Sequence, residues 1–598
     1  MSFPSNIPGI LGNTDLAQFD TLIIGSGAGG SAAAYVLATA GQKVLVLEAG
    51  DNHFPGLDSY DDRGGIPWPL YSNDELKLSL RRFAFQDPLV EPRTYRQTED
   101  AVAYAHPDVN VMTRNVGGAA VISSVSYPRF TAVDFRMASA LDAAGRLAQY
   151  TDTGFADWPL SYDELEPFYS ETDILSGIAG IAEGEGSDPF QSWRSKPFPL
   201  PPQPVMYAAR VMANGARQLG YHPFNYPSAI ITAPYAADPR PTCVSCGLCT
   251  NYGCTRNAKG SPAVTTLRRA LLTGNCQLRY NAFATRMLVD GGGRRVTGVE
   301  YVDNRGQRQT ATADKVVLAA SAIESARLCL LSDPGGPGIG NSSGRLGRHL
   351  TFHLENIAVG IYKQRLHGER GRSITMGVAD FRGITVGGTD LQPDRPLGGT
   401  MELGTSSEPM VAARDTLQPE AVGAARLAGV SFKQLLAESP FSAHIAILLM
   451  HAEDAPQATN RIDLDPAVRD AFGLPVPRVT YKSHAFELDA VKFYQPLMLQ
   501  IHEKAGAAYG FFQPADPLVP SQSRHITGTL RMGNDPATSV CDKWGKFHDL
   551  DNLYCVDGAV FPTASGYNPT PTIIAMALRI AGAIVSPGAP ERTLRFAR

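Results

Sequence analysis

The sequence has no strong excess of either charge, no long apolar run and few cysteines, and each shortage closes off a class of protein. Lysine and arginine total 53 against 58 aspartates and glutamates, a formal charge of −5 over 598 residues. A protein held to nucleic acid by a broad basic surface needs a different balance, so no nucleic-acid partner is expected. No stretch approaches the roughly 18 uninterrupted apolar residues of a bilayer span, so no membrane span of its own is expected. Met1 to Gln18 contain no Lys or Arg and no long apolar run, unlike a secretory or twin-arginine leader. The expectation is a cytoplasmic protein, or one exported with a signal-bearing partner subunit. Eight cysteines are too few for a disulfide scaffold of this length. Charged residues make up 19%, below the usual quarter or so. The 43% that are apolar are enough for a large core and argue against disorder.

What is present begins at Phe19. Leu22, Ile23 and Ile24 form a short apolar strand that runs into Gly25, Gly27 and Gly30, spaced G-x-G-x-x-G. Ser31 to Ala40 is an Ala-rich helix ended by Gly41, and Lys43 to Leu47 is a second strand that ends in Glu48. This is a βαβ unit for a dinucleotide. One glycine makes the turn, one lets backbone approach a pyrophosphate, and one lets helix pack on strand. The helix N-terminus adds the positive end of its dipole for the phosphates. Glu48 stands where an acid accepts hydrogen bonds from a ribose, and its charge disfavours a 2′-phosphate. FAD or NAD is therefore favoured over NADP.

A second segment, Arg114 to Arg129 (RNVGGAAVISSVSYPR), resembles the second flavin-contact segment of the glucose–methanol–choline (GMC) oxidoreductases at Gly117, Gly118, Ile122, Tyr127 and Arg129. Ala119 and Ala120 replace the serines usual there, and Ser123 and Ser124 stand where Asn and Gly are frequent. The resemblance implies flavin contacts at Gly117, Gly118 and Ser123. Relatives with covalently bound flavin carry a His in this segment; Ile122 occupies about that place, which implies non-covalent FAD. Further on, HITGTLRMG from His525, NLYCVDGAVFPT from Asn552 and NPTPTIIAMALRIA from Asn568 resemble the family's C-terminal signature. There the last helix starts against the flavin, and a catalytic His is paired with His or Asn. By motif, His525 and Asn568 match that pair. Asp557, Gly558, Pro569 and Thr570 match flavin contacts, and Lys315 to Ala320 (KVVLAA) resembles a strand near the adenine half. Independently of the family, a neutral imidazole suits removal of an alcohol proton near neutral pH. An Asn beside it holds the oxygen without competing for the proton.

Cys243, Cys246, Cys249 and Cys254 lie within twelve residues, spaced C-x2-C-x2-C-x4-C. Such clustering favours metal over bridges. The last gap is one residue longer than the bacterial ferredoxin pattern, and no proline follows Cys254. Three readings stand open: an iron–sulfur cluster, structural thiols or disulfides, and a zinc site. The chain also resembles the flavoprotein subunits of gluconate, fructose and FAD-glucose dehydrogenases here and in PLSYDELEPFY at Pro159 to Tyr169. That resemblance implies an electron-accepting subunit or cytochrome as partner. Cys329 and Cys555 are flanked by apolar residues and read as core.

The expected fold is α/β: a Rossmann-like FAD-binding domain in segments 15–150, 255–355 and 520–598, and a substrate domain (151–254 and 356–519) on a mostly antiparallel sheet. Asn460 to Val468 and Pro477 to Tyr481 read as strands of that sheet. Phe190 to Pro204 reads as a surface connection, and Asp51 to Pro92 as a loop or lid, with Trp68, Tyr71 and Phe85 either core or substrate contacts. His349, His353 and His451 read as satisfied core histidines. GNSSG at Gly340 to Gly344 follows a loop, not a strand, and is no hydrolase elbow. The function expected is FAD-dependent oxidation of a CH–OH group of a sugar, sugar acid or polyol, with electrons passed to an acceptor other than NAD. Two alternatives remain: an oxygen-using oxidase of a bulkier apolar alcohol such as a sterol, and a non-redox lyase on the same fold.

Overall fold

In the strand Thr21–Ile24 every residue is buried, because sheets covered on both faces take continuous apolar runs. A computed structural model describes residues 9–59, 86–105, 112–250, 252–368, 371–405, 443–512 and 525–594. Trp68, Tyr71 and Phe85, and most of the expected lid, lie outside the described residues. Thr21–Ile24 pairs in parallel with Val44–Glu48 on one side and Lys315–Leu318 on the other. Cys276–Tyr280 and Leu553–Cys555 extend the parallel set, and Ile10–Gly12 adds an antiparallel edge, making six strands. This is the α/β, Rossmann-like arrangement read from the sequence. The first helix spans Ala28–Thr39 and starts a turn earlier than its composition suggests. Its glycines explain the difference. A Cβ on Gly30 would sit 2.0 Å from the Gly25 carbonyl oxygen, and one on Gly29 2.2 Å from that of Val556. Glycine's usual cost inside a helix is here the condition for the helix to approach two strands so closely. Thr570–Val585, the last long helix, packs against the first, with Pro571 in the first turn where no N–H is needed.

A second six-stranded sheet is antiparallel throughout. Its order is Ala507–Phe512, His353–Tyr362, Ile445–Glu453, Met401–Gly404, Ile374–Val378 and Pro223–Asn225. Side chains alternate faces along a strand, and here the alternation sorts chemistry. Ala446, Leu448 and Met450, with Met401 and Leu403, pack with Met212, Tyr494 and Met498 of the helices Tyr207–Gln218 and Ala485–Lys504 in an apolar cluster. His451, Glu402 and His353 fall on the opposite face.

Arg461–Arg469 and Pro475–Thr480 are strands, but not of this sheet. They pair with each other and, through Pro475–Thr480, with Thr94–Arg96 in a separate four-stranded sheet. Charge alternation favours the pairing, since Arg478 forms an ion pair with Asp463 across the two strands and Asp463 also meets Arg96. Phe190 to Pro204 runs without helix or strand, as expected of a connection. Cys276, Cys329, Cys541 and Cys555 are buried.

Candidate active site

The glycine motif forms the floor of a cleft of about 1460 Å³, its open mouth included. Gly25 turns with φ +104°, where a Cβ would lie 2.3 Å from the Ala319 carbonyl oxygen. At Gly27, by contrast, a Cβ would meet nothing within 4 Å. That vacant direction faces the cleft, and Gly27, Ala28 and Gly29 line it. A Cβ on Gly118 would lie 2.9 Å from the Gly27 Cα, so the second glycine segment closes directly over the first. Glu48 is buried and accepts from the Ser26 N–H (2.9 Å), the Ser26 hydroxyl (2.7 Å) and the Gly50 N–H (2.8 Å). The Ser26 hydroxyl oxygen in turn accepts from the Gly117 N–H at 3.1 Å. The cleft is thus elongated, glycine-floored and acid-edged, with two helix N-termini at its wall. These features fit a dinucleotide, and the residues that would hold it are Gly27, Gly118, Glu48, Asp557, Gly558, Pro569 and Thr570. Asp557 is also a brace: its carboxylate accepts from Ser321 N–H, Ser325 hydroxyl and Ala559 N–H. Gly30 lies beneath the floor, and Ser123 does not line the cleft; its hydroxyl stays within its own turn.

His525 lines the cleft beside Pro569 and Thr570. Its Nε2 stands 3.5 Å from Asn568 Nδ2, so the pair matched by motif does come together. The amide is oriented from both sides. Tyr226 donates to Asn568 Oδ1 at 2.7 Å, and Asn568 Nδ2 donates to Glu402 Oε1 at 3.2 Å. Asn568 is held, not placed in a solvated turn.

Two histidines read as core residues belong to this site. His353 Nδ1 is 3.0 Å from His525 Nδ1, and His451 Nε2 is 3.7 Å from Glu402 Oε2. Periodicity in a β-strand cannot distinguish a satisfied inward His from one at a site, and only the register of two strands brings these rings to one place. The signal that does exist is an ionisable residue within an apolar strand: His451 in IAILLMHAE and Glu402 in MELG. His349 does behave as core, buried and 3.2 Å from the Pro456 carbonyl oxygen.

The hydrogen bonds favour one set of tautomers. His353 Nε2 faces the Ala564 carbonyl oxygen at 3.4 Å, which only accepts, so Nε2 carries the hydrogen. His353 Nδ1 is then an acceptor, His525 Nδ1–H donates to it, and His525 Nε2 is left as the acceptor nitrogen. Burial, and then the charge of His451, press the His353 pKa down to about 3. Burial, followed by His451 and His353, holds His525 well below the usual 6.5. At His451 burial works downward, but the Glu402 hydrogen bond and charge together outweigh it, and the net shift is upward. The site therefore carries a neutral His525 next to a His451–Glu402 pair. Floor and roof join nearby: Thr351 and Thr527 exchange both backbone hydrogen bonds at 3.0 Å, and their hydroxyls meet at 2.8 Å.

The cysteine loop lies behind the second glycine segment. Lys259, fully buried, donates to the carbonyls of Ser123 (2.7 Å), Cys249 (2.7 Å) and Tyr252 (2.9 Å). Buried Arg372 donates to Ser124 O and Gln203 Oε1. Among the described residues, His353, His451 and His525 form the one group of three or more His, Cys, Asp or Glu side chains with ligand atoms all within 4.8 Å of one another. The four sulfurs are not so gathered.

Arg129, matched in the second segment, is buried in ion pairs with Glu166 (3.0 Å) and Asp173 (2.6 Å) of the helix Tyr162–Ser176, which includes most of PLSYDELEPFY. Two of the stretches that carried the resemblance are thus bound to each other.

Comparison with known proteins agrees with this architecture. Family models described as GMC oxidoreductase match residues 201–355 and 456–577, and one described as NAD(P)-binding Rossmann-like domain matches 23–70. The chain is 30% identical over 580 residues to 2-methyl-1,2-propanediol dehydrogenase of Mycolicibacterium austroafricanum, covering 95% of each. It is 29% identical over 610 residues to gluconate 2-dehydrogenase flavoprotein of Pantoea cypripedii, covering 96% of this chain and 95% of the relative. With the fructose dehydrogenase large subunit of Gluconobacter japonicus the figures are 27% over 583 residues, 95% and 98%. Formate oxidase of Aspergillus oryzae RIB40, from a study of FAD modification, shares the fold with TM-score 0.64 at 14% identity, covering 97% of this chain and 100% of that one. The chain belongs to the GMC oxidoreductase family and is an FAD-dependent alcohol/sugar oxidoreductase.

Proposed function

We propose that the protein oxidises a CH–OH group of a sugar, sugar acid or polyol and passes the electrons to an acceptor other than NAD. The observation that carries this is the meeting of a neutral His525 and an oriented Asn568 at one end of the dinucleotide cleft. FAD, when bound there without a covalent link, supplies the hydride acceptor at N5. His525 Nε2 takes the hydroxyl proton. Asn568 Nδ2 donates to the alcohol oxygen and keeps it there as charge develops. His353 accepts Nδ1–H and so holds the tautomer that presents Nε2, as an orienting carboxylate does in hydrolytic triads. The N-terminus of Thr570–Val585, which lines the cleft, would stabilise negative charge on a reduced flavin held against it.

Relatives named for gluconate, 2-methyl-1,2-propanediol and fructose support a hydroxylated substrate over a sterol. Two relatives are named as a flavoprotein and a large subunit, which supports an electron-accepting subunit or cytochrome as partner. No electron step is assigned to the cysteine loop.

Anaerobic mixing of the flavin-loaded protein with a panel of polyols, sugars and sugar acids tests the reading. Flavin bleaching is expected with at least one of them, slowed by about 10²–10⁴-fold in His525→Ala with flavin content unchanged. Bleaching by none, or an unaltered rate in the variant, overturns it. The spectrum recorded first, on untreated protein, also shows whether acid-labile absorbance underlies the flavin bands and thus whether the cysteines hold iron and sulfide.

A further inference from the structure

We infer that His353, His451 and His525 form a site for a divalent cation of the zinc class, and that its occupation reversibly shuts the active site. One ring nitrogen from each lies within 4.8 Å of the others. The ring centroids of His525 and His451 are 4.8 Å apart, and those of His525 and His353 4.9 Å. The two Nδ1 atoms of His353 and His525 already stand 3.0 Å apart, near the roughly 3.3 Å nitrogen–nitrogen span that bonds of about 2.0–2.1 Å give in a tetrahedral site.

Two features separate this cluster from a chance grouping. First, the outer nitrogens have the partners typical of ligating histidines, a backbone carbonyl or a carboxylate that fixes the ring. His353 Nε2 faces Ala564 O at 3.4 Å, and His451 Nε2 faces Glu402 at 3.7 Å. Second, His451 Nδ1 is buried with no hydrogen-bond partner, in a side chain only 6% exposed. One nitrogen of His451 lies within 4.8 Å of those of the other two rings, and an imidazole that keeps an unpartnered nitrogen has ligand capacity to spare. Three imidazoles leave the fourth position of a tetrahedral ion open, and the cleft that His525 lines provides the way in. Imidazole ligands suit zinc, copper and nickel better than magnesium or calcium.

Capture at Nδ1 of His525 requires its proton to move to Nε2, so the nitrogen that faces the alcohol becomes a donor and is lost as a base. The site needs no flavin chemistry to exist; only the consequence for turnover rests on the function proposed above.

The test is equilibrium dialysis of EDTA-treated, flavin-loaded protein against zinc alone, with cobalt(II) substitution read between about 550 and 650 nm, beyond the flavin bands. One saturable zinc per chain is expected, with a tetrahedral cobalt band. His451→Gln and His353→Gln, checked for flavin content and melting temperature, are each expected to weaken binding at least tenfold. If one variant fails to fold, the other carries the test. Absence of saturable binding below millimolar zinc, or affinity unchanged in the folded variants, overturns the site. Where turnover is measurable, zinc is expected to lower the maximal rate, since it removes the base without occupying the alcohol's place, and EDTA to restore it; binding without inhibition would place the ion elsewhere. Failure of the alcohol-oxidation reading would leave the dialysis and cobalt readouts intact.

Discussion

At the residue scale the question is which state His525 keeps at working pH. Burial and the neighbouring histidines depress its pKa, so the base is already neutral on the acid side of neutrality. The rate of flavin reduction is therefore expected to stay level from pH 8 to below pH 6, because the proton that would block Nε2 binds only in more acid solution. His353 matters through the tautomer. His353→Phe removes the acceptor of the His525 Nδ1–H and should slow reduction on the order of tenfold to a hundredfold; His353→Gln, whose amide oxygen accepts, should recover most of it. Equal rates in the two variants, or an acid limb centred near pH 7, would rule out this arrangement. Little of this was legible in the sequence. His525 and Asn568 stood in a recognisable motif, but His353, Glu402 and His451 are separated by about fifty residues each along the chain and become neighbours only through antiparallel register.

At the element scale the amino-terminal βαβ unit was readable almost to the residue, because its glycines obey local sterics. Those sterics divide the motif into two kinds of position. An added Cβ at Gly30 or Gly29 meets backbone at 2.0 and 2.2 Å, whereas at Gly27 it meets nothing within 4 Å. Gly30→Ala is expected to destabilise the fold by about 1–3 kcal/mol or more, as overpacking does. Gly27→Ala should melt near the parent in flavin-free protein, yet bind FAD at least tenfold more weakly, since the methyl group enters the space of the ligand. Titration of flavin-stripped protein with FAD, together with thermal melts, checks both. Reversed outcomes would mean that the cleft has been assigned to the wrong face. The strands Arg461–Arg469 and Pro475–Thr480 show the opposite limit: their patterns identified them as strands, but edge pairing with Thr94–Arg96 depends on segments nearly four hundred residues apart, and no local signal announces it.

At the scale of the whole molecule, the antiparallel sheet is tied to its surroundings by buried acids. Arg382 bridges Asp134 at 2.5 Å and Glu453 at 3.2 Å, all buried. Asp454 accepts from Tyr481 and the Phe352 N–H. Burial raises the carboxyls of Glu453 and Asp454 to about 7. An acid with a raised folded pKa loses stability as pH climbs above its unfolded value, and the cost is complete above the folded one. Asp454→Asn, which keeps an acceptor oxygen, should therefore match the parent near pH 4 and gain in melting temperature as pH rises toward 8. A difference that is constant across this range would contradict the raised pKa. Composition and motifs do not announce these attachments, since burial of an acid is a property of the assembled core.

The Thr351–Thr527 pairing also bears on how the molecule can move. It lies two residues from each of His353 and His525 and works as a rivet between the segments that carry them. A hinge that parted them here would sever two backbone bonds and pull the base from its orienting ring. The pairing therefore resists any motion that would separate the base from the ring that orients it.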